Sequence, residues 1–339
     1  YLGFGMDSPE SFLEYAGFDG TVNLSGTNYV RDWHVHVPDW NQGDPTWAGG
    51  TAGAAKGKGL IGAINYIAEK GINQQYFITM NVQGDGRAAY PYTPEAASNG
   101  GYDVFDVSKL DQWQIVFHHM MKKGVTAHAL LQEVENELLF EHGSTADTDN
   151  TLRKLYYREL IARFGWHPAL IWNLGEEQNH TDNHPYGTAA TTEQRRAWAR
   201  YIRAVDPYDH PITIHNWQWN PEEYQGVYND FLGKAYFEGP SLQWDANMDV
   251  EIRRWHEASE EAGRPWVVMM TEYNGGGQGA HDSARAVWRK AALWEPLMNQ
   301  AGAVELYFGN AGGVDLTTED LRPWADGFDQ MHHARSFFD

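Results

Sequence analysis

Residues Ala169-Leu-Ile-Trp-Asn-Leu-Gly-Glu-Glu-Gln-Asn179 join a short apolar run to two adjacent carboxylates. The run from Ala169 to Trp172 shows no polar alternation, so it predicts a parallel strand covered on both faces. Carboxylates just beyond the C-terminal end of such a strand lie where α/β barrels carry their catalytic groups. Taken alone, the stretch would be better interpreted as an acidic surface loop.

A second stretch, Pro265-Trp-Val-Val-Met-Met-Thr-Glu-Tyr273, repeats the arrangement of an apolar strand followed by a carboxylate, Glu272. Other strands are predicted near residues 3, 77, 128, 213, 236 and 305, and the sixth, Lys234 to Phe237, ends at Glu238. Amphipathic helices separate most of these strands, and glycines stand where the chain turns back. This alternation predicts a (β/α)8 TIM barrel. A doubly wound open sheet is the alternative, and the lack of a glycine-rich nucleotide fingerprint disfavours it.

Composition and charge limit the partners and the chemistry that the chain can have. The 339 residues are 42% hydrophobic and 14% aromatic, which is enough for a large core. The 46 acidic and 25 basic residues give a net charge of −21, which disfavours nucleic acids and anionic membranes as partners. The chain has no cysteine, so disulfides, zinc–cysteine sites and thiol nucleophiles are excluded. No apolar run is long enough to insert into a membrane.

Residues 1–339 are expected to form a single catalytic barrel domain. The chain begins with Tyr1-Leu-Gly-Phe-Gly-Met, which reads as a strand and lacks an initiator methionine and a signal peptide. We therefore expect a catalytic core excised from a longer multidomain protein that is secreted or periplasmic. The sequence leaves the oligomeric state open.

Glycoside hydrolysis requires one carboxyl group that protonates the leaving oxygen and a second that attacks the sugar or activates water. Glu176 and Glu177 follow strand four and Glu272 follows strand seven, so one carboxylate of the pair could face Glu272 across a barrel mouth and meet this requirement. The 15 tryptophans and 18 tyrosines offer flat faces for sugar rings. No cofactor is implied, because side chains fill both catalytic roles.

The motif around Glu177, Trp-Asn-Leu-Gly-Glu-Glu-Gln-Asn, resembles the strand-four motif of clan A retaining glycosidases. The segment ending at Glu272 resembles the strand-seven nucleophile segment of that clan. The Gly-Leu-Ile-Gly-Ala-Ile-Asn-Tyr and Arg-Lys-Leu-Tyr-Tyr-Arg-Glu-Leu-Ile-Ala-Arg-Phe helices are similar to those of apiosidase-like barrels in large secreted bacterial enzymes. The resemblance implies that Glu177 is the acid/base and Glu272 the nucleophile. Glu176 stands where the clan usually has asparagine, so the division of roles between Glu176 and Glu177 stays open.

Several polar and aromatic side chains near strand ends are predicted to bind the sugar. Acidic residues after strand three could instead favour a helix dipole, and a histidine after strand five could be structural. A carboxylate after strand six could orient the nucleophile or pair with a base. The predicted binding residues are Asp7, Glu135, Glu176, Asn179, His215, Trp217, Glu238, Tyr273 and Tyr307.

Two alternatives come from other classes of protein. His34-Val-His36 could bind a divalent metal ion in an amidohydrolase-like barrel, since a pair of histidines on one strand face can activate a metal-bound water. A non-catalytic carbohydrate-binding barrel would keep the aromatic residues without needing the carboxylate pair. The sequence favours a retaining β-glycoside hydrolase, with a neutral plant or algal polysaccharide or its oligosaccharides as substrate.

Overall fold

Eight parallel strands close into a barrel in which each strand pairs with its neighbours in chain order. The computed structural model describes residues 2–24, 29–48, 56–178, 180–216, 221–244, 247–273, 288–307 and 318–339. This topology confirms the predicted (β/α)8 fold. The strands are β1 (Gly3–Asp7), β2 (Gln74–Ile78), β3 (Thr126–Leu130), β4 (Leu170–Asn173), β5 (Ile212–Asn216), β6 (Gly239–Trp244), β7 (Met269–Tyr273) and β8 (Ala303–Tyr307).

Helices surround the barrel, and their apolar faces pack on the outward side chains of the strands. Phe77 of β2 lies 5.2 Å from Phe117, whose ring lies 4.7 Å from Phe164. No helix in the described part of the chain is long and apolar enough to cross a membrane. The first eight α-helices are α1 (Pro9–Leu13), α2 (Lys58–Glu69), α3 (Pro94–Asn99), α4 (Val107–Lys122), α5 (Thr151–Phe164), α6 (Thr192–Val205), α7 (Pro221–Asn229) and α8 (Met248–Glu261). A π-helix (Trp288–Trp294), a short helix (Glu295–Met298), a C-terminal helix (Ala325–Phe338) and 3₁₀ turns at His34–Asp39, Val134–Asn136 and Arg322–Trp324 complete the described elements.

The barrel interior contains a buried polar layer. Glu305 of β8 accepts a hydrogen bond from Gln74 Nε2 at 2.9 Å and lies 3.1 Å from His128 Nδ1. Gly5 of β1 makes room for this carboxylate, because a Cβ at that position would lie 2.4 Å from Glu305 Cγ. The layer meets the rule that buried polar groups need partners. It also forms a fixed floor beneath the C-terminal end of the barrel.

Strand six differs from its prediction. It runs from Gly239 to Trp244 instead of Lys234 to Phe237, so Glu238 precedes the strand. The aromatic run that suggested a strand packs outside the barrel, where Phe237 lies 5.3 Å from Trp266. The prediction placed Glu238 at the wrong end of β6.

Candidate active site

The segment after β4 is hydrogen-bonded to β5, and this fixes the positions of Glu176 and Glu177. His215 N donates to Gly175 O at 3.1 Å, and Gln178 N donates to His215 O at 3.0 Å. Gly175 allows the chain to come close, because a Cβ there would lie 2.6 Å from Gln178 Nε2. Both carboxylates therefore project from backbone that is hydrogen-bonded to the barrel wall.

Glu177 adopts a left-handed backbone conformation with φ of 53°. This region is uncommon for residues other than glycine, and such outliers cluster at functional sites. The Glu177 carboxylate accepts a hydrogen bond from Gln243 Nε2 of β6 at 3.0 Å. Burial raises the pKa of Glu177 well above its usual value, and the charge of Glu272 raises it further. The two predicted catalytic carboxyl groups therefore share one electrostatic environment.

Glu176 lies deeper in the site, where it is 8% exposed. Its Oε1 accepts a hydrogen bond from the Tyr76 hydroxyl at 3.2 Å, and the same hydroxyl lies 2.7 Å from His215 Nδ1. On the other side of the imidazole, His215 Nε2 comes within 3.6 Å of Glu272 Oε2. Tyr76 and His215 thus connect Glu176 with Glu272 of β7.

His215 is fully buried, and its environment keeps the imidazole neutral. Burial lowers the pKa of His215 to about 3, although a side-chain interaction with Gln243 acts in the opposite direction. The ring therefore carries a single proton at neutral pH.

Several other predicted residues lie at the same end of the barrel. Asp7 ends β1 and is in register with Tyr307, which ends β8, and Tyr273 ends β7. The C-terminal ends of all three strands open onto the mouth that carries Glu177 and Glu272. Asn179 and Trp217 fall outside the described residues.

Glu135 lies in the 3₁₀ turn after β3 and is partly buried. Burial raises its pKa to about 8, and the charges of Asp85 and Asp182 add to this effect. When it is ionised, Glu135 also raises the pKa of Glu177, so the two carboxyl groups interact. The site consequently has an acidic rim on the side of β3.

Glu238 does not lie at the mouth of the barrel. The prediction that it binds the sugar after strand six is therefore wrong. It lies before β6, at the opposite end of that strand from Gln243. Its carboxylate pairs with Arg203 at 2.6 Å and with Arg264 at 3.0 Å, and it accepts a hydrogen bond from Ile212 N at 2.7 Å. Glu238 therefore joins elements at the N-terminal end of the barrel.

The His34/His36 pair lies in a 3₁₀ turn and not on a strand face. His36 is buried, and both ring nitrogens have partners: Nδ1 lies 2.8 Å from Asp39 Oδ2, and Nε2 accepts a hydrogen bond from Leu321 N at 3.1 Å. The ring cannot bind a metal ion without losing one of these bonds. The structure therefore does not provide the metal pair of the amidohydrolase-like alternative.

Three groups of described residues bring potential metal ligands within 4.8 Å of one another. Two lie at the periphery, and the third is fully buried between the strand ends of the barrel. The groups are Asp32, His34 and Glu319; Glu135, Asp182 and His184; and Glu176, His215 and Glu272.

Two site residues were missed from the sequence. Tyr76 lies on β2 within an apolar run, and Gln243 lies on β6, which the sequence reading misplaced. Neither residue type by itself indicates a role in the site. A tyrosine in a strand is usually a core residue. Correct placement of β6 would have put Gln243 at the mouth.

Several solved structures have a similar fold. A broad-specificity family 5 endoglucanase from Clostridium longisporum is 12% identical with a TM-score of 0.59, and the alignment covers 98% of this chain and 97% of that one. An endo-β-1,4-mannanase from Thermotoga petrophila is 13% identical with a TM-score of 0.54, over 81% of this chain and 72% of that one. A family 5 glycoside hydrolase from Bacteroides vulgatus is 14% identical with a TM-score of 0.52, over 90% of this chain. These neighbours share the barrel fold.

The chain spans 40% and 58% of the lengths of two Bacteroides vulgatus proteins with which it aligns. No protein-family profile and no curated protein sequence matches the chain. The structural neighbours include family 5 glycoside hydrolases, and they do not confirm the apiosidase-like resemblance.

A further buried carboxylate, Glu14, predicts a dependence of stability on pH. Burial raises its pKa to about 8, although hydrogen bonds from Asn81 and Ala88 oppose the shift. Because the folded-state pKa exceeds the unfolded one, this stabilisation is complete below the unfolded value and is lost as pH rises through the folded one. As the pH rises from 6.5 to 8, ionisation of Glu14 should lower the free energy of unfolding by roughly 2 kcal/mol.

Urea unfolding of the wild type and of Glu14→Gln at several pH values checks this expectation. The difference in unfolding free energy between the two proteins should change by roughly 2 kcal/mol from pH 6.5 to 8, in favour of the variant at higher pH. Parallel pH curves for both proteins would contradict it.

Proposed function

We propose that the chain is a retaining glycoside hydrolase that cleaves β-glycosidic bonds by double displacement. The observation that carries the proposal is that carboxylates from two distant segments, Glu177 after β4 and Glu272 on β7, lie at the same barrel mouth close enough for the charge of one to raise the pKa of the other. The shared fold with family 5 glycoside hydrolases supports it.

In the proposed reaction, Glu177 protonates the glycosidic oxygen while the Glu272 carboxylate attacks the anomeric carbon. The bond to the leaving group breaks and a covalent glycosyl–enzyme ester forms. Glu177, now ionised, removes a proton from water, which attacks the same carbon and releases Glu272. Two inversions at one carbon return the original configuration.

The position of the two glutamates supports this division of roles. Glu177 is partly exposed and can reach both a departing sugar and an incoming water, whereas Glu176 is 8% exposed and hydrogen-bonded to Tyr76 at the floor of the site. A general acid/base must be within hydrogen-bond reach of the groups it serves. Glu176 is better placed to hold the sugar.

We propose a neutral polysaccharide or its oligosaccharides as substrate, such as a plant or algal galactan, and a secreted location for the enzyme. The net charge of −21 would repel uronic acids and sulfated sugars. Tyr273 and Tyr307 at the strand ends can stack on neutral sugar rings.

The stereochemistry of the first product tests the proposal. Activity is first located on a panel of neutral polysaccharides, and the anomeric proton of the product is then followed by NMR from the first minutes of the reaction. Net retention is expected, because each of the two displacements inverts the anomeric carbon. An inverted anomer as the first product would exclude double displacement.

Prolonged chelation separates this chemistry from a metal hydrolase. Treatment of the enzyme with a chelator followed by gel filtration should not lower kcat/KM on the active polysaccharide, because both catalytic roles belong to carboxyl groups. Loss of activity that returns on addition of a divalent cation would rule out the mechanism.

A further inference from the structure

Three potential metal ligands converge at the floor of the site. The carboxylates of Glu176 and Glu272 and the imidazole of His215 bring one ligand atom each within 4.8 Å of the other two. They come from the ends of three strands, β4, β5 and β7, and all three residues are buried. Sites built on rigid elements hold their ligands with little reorganisation.

The buried imidazole provides an independent sign of a ligand. Within the described residues, His215 Nε2 makes no hydrogen bond of normal geometry, although the side chain is 0% exposed. It lies 3.6 Å from Glu272 Oε2, and the Gln243 side chain is close enough to act on the imidazole. A buried polar atom without a partner calls for an explanation, such as a bound water or ion. A lone pair at Nε2 would complete a set of two oxygen ligands and one nitrogen ligand.

Tyr76 provides the outer contacts that such a site needs. A histidine that binds a metal through one nitrogen usually donates a hydrogen bond from the other. Here His215 Nδ1 lies 2.7 Å from the Tyr76 hydroxyl, and that hydroxyl in turn donates to Glu176 Oε1 at 3.2 Å. One tyrosine thus orients two of the three ligands.

Charge and size agree with a small divalent cation. Two carboxylates in a buried site repel each other, and an ion of charge +2 would balance them. Ligands bound to tetrahedral zinc at about 2.0–2.2 Å lie about 3.4 Å apart, so modest side-chain movement would close the group around an ion. Nitrogen and carboxylate ligands in this combination suit zinc, with a fourth position left open.

We propose that Glu176, His215 and Glu272 bind one zinc-like divalent cation that occupies the place of the sugar and blocks hydrolysis. The inhibitory part rests on the proposed function, because Glu272 is the proposed nucleophile and cannot attack while it holds an ion. Glu176 is essential to the site. The asparagine that clan A enzymes usually have at this position would bring no negative charge.

Zinc chloride titrated into chelator-stripped protein at neutral pH, followed by calorimetry, tests binding without any measurement of activity. The wild type should bind one ion tightly, and Glu176→Gln should weaken that binding at least about 100-fold. Tyr76→Phe should weaken it about 10-fold through loss of the outer contacts. Thermal unfolding of each apo-protein shows whether the variants are folded.

Two control variants locate the ion. Glu177→Gln removes the neighbouring carboxyl group, and a His34→Ala/His184→Ala double variant removes the histidines of the two peripheral groups. Both should keep the tight site. If Glu176→Gln binds zinc as tightly as the wild type, or if the His34/His184 variant loses the site, the assignment is wrong.

Activity assays test the inhibitory part. Zinc should inhibit the wild type in competition with substrate, a chelator should reverse the inhibition, and the residual activity of Glu176→Gln should be insensitive to the same concentration. Tight zinc binding without inhibition, or with activation, would overturn this part. Binding by calorimetry in a protein that cleaves no glycoside would refute the proposed function and leave the metal site standing.

Discussion

Glu177→Gln should lower kcat/KM on a polysaccharide by roughly 10²–10⁴-fold, the usual contribution of a positioned general acid/base. The loss should be much smaller on an aryl glycoside whose leaving group departs without a proton. Azide should then partly restore turnover of that substrate, because a small anion can attack the covalent intermediate without base catalysis. The restored reaction should yield a glycosyl azide of retained configuration, detectable by NMR.

Glu176→Gln is the matched control, since it changes the neighbouring carboxyl group in the same way. It should weaken activity on all substrates to a similar degree, without rescue by azide, because it lies at the floor of the site beside Tyr76 and His215. Rescue of the Glu176 variant and not of the Glu177 variant would exchange the two roles.

Arg153→Met should destabilise the fold by about 3–5 kcal/mol, the usual cost of leaving a buried charge without its partner. Arg153 is 1% exposed and lies on α5, where Nη2 donates to Glu141 Oε2 at 2.6 Å and to Glu137 O at 2.7 Å. Its guanidinium lies 3.8 Å from the centre of the Trp198 ring. Removing it leaves the buried Glu141 carboxyl group without its ion-pair partner.

Two variants show whether the ion pair explains the loss. Arg163, also on α5, pairs with Glu159 at 2.6 Å near the surface, so Arg163→Met should cost no more than about 1 kcal/mol. Arg153→Met/Glu141→Met removes both buried charges and should recover part of the loss. Urea unfolding measures all three, and equal destabilisation by Arg153→Met and Arg163→Met would contradict the expectation.

The barrel was predictable because its strands are short apolar runs and glycines end many of the helices between them. Gly71, Gly124, Gly233 and Gly263 have positive φ between 70° and 82° in the structure, as turns after helices require. Such signals are local, and a sequence displays them directly.

Strand six was misplaced for an equally local reason. Pro240 lies inside β6 and pairs in register with Ile214 of β5, although proline is rarely found within a central strand because it cannot donate to the ladder. The aromatic run Tyr236–Phe237 beside it gave a stronger but misleading strand signal. The error carried Glu238 to the wrong end of the barrel and hid Gln243.

The deeper part of the site depends on contacts that a sequence does not reveal. Tyr76 reaches Glu176 and His215 across the barrel interior from β2, and only closure of the sheet brings these residues together. The pairing of Glu177 with Gln243 likewise depends on the exact direction in which each side chain leaves its strand.

The hydrogen bonds between the segment after β4 and β5 have a consequence for how such an enzyme can be altered. Glu176 and Glu177 move with the sheet, since His215 N and Gln178 N tie Gly175–Gln178 to the barrel wall. The positions of these two carboxylates are therefore set by the barrel, while the sequences of the surrounding loops can change without moving them. If the proposed function is correct, exchange of those loops between barrels should change the polymer that is cleaved while Glu176 and Glu177 keep their positions.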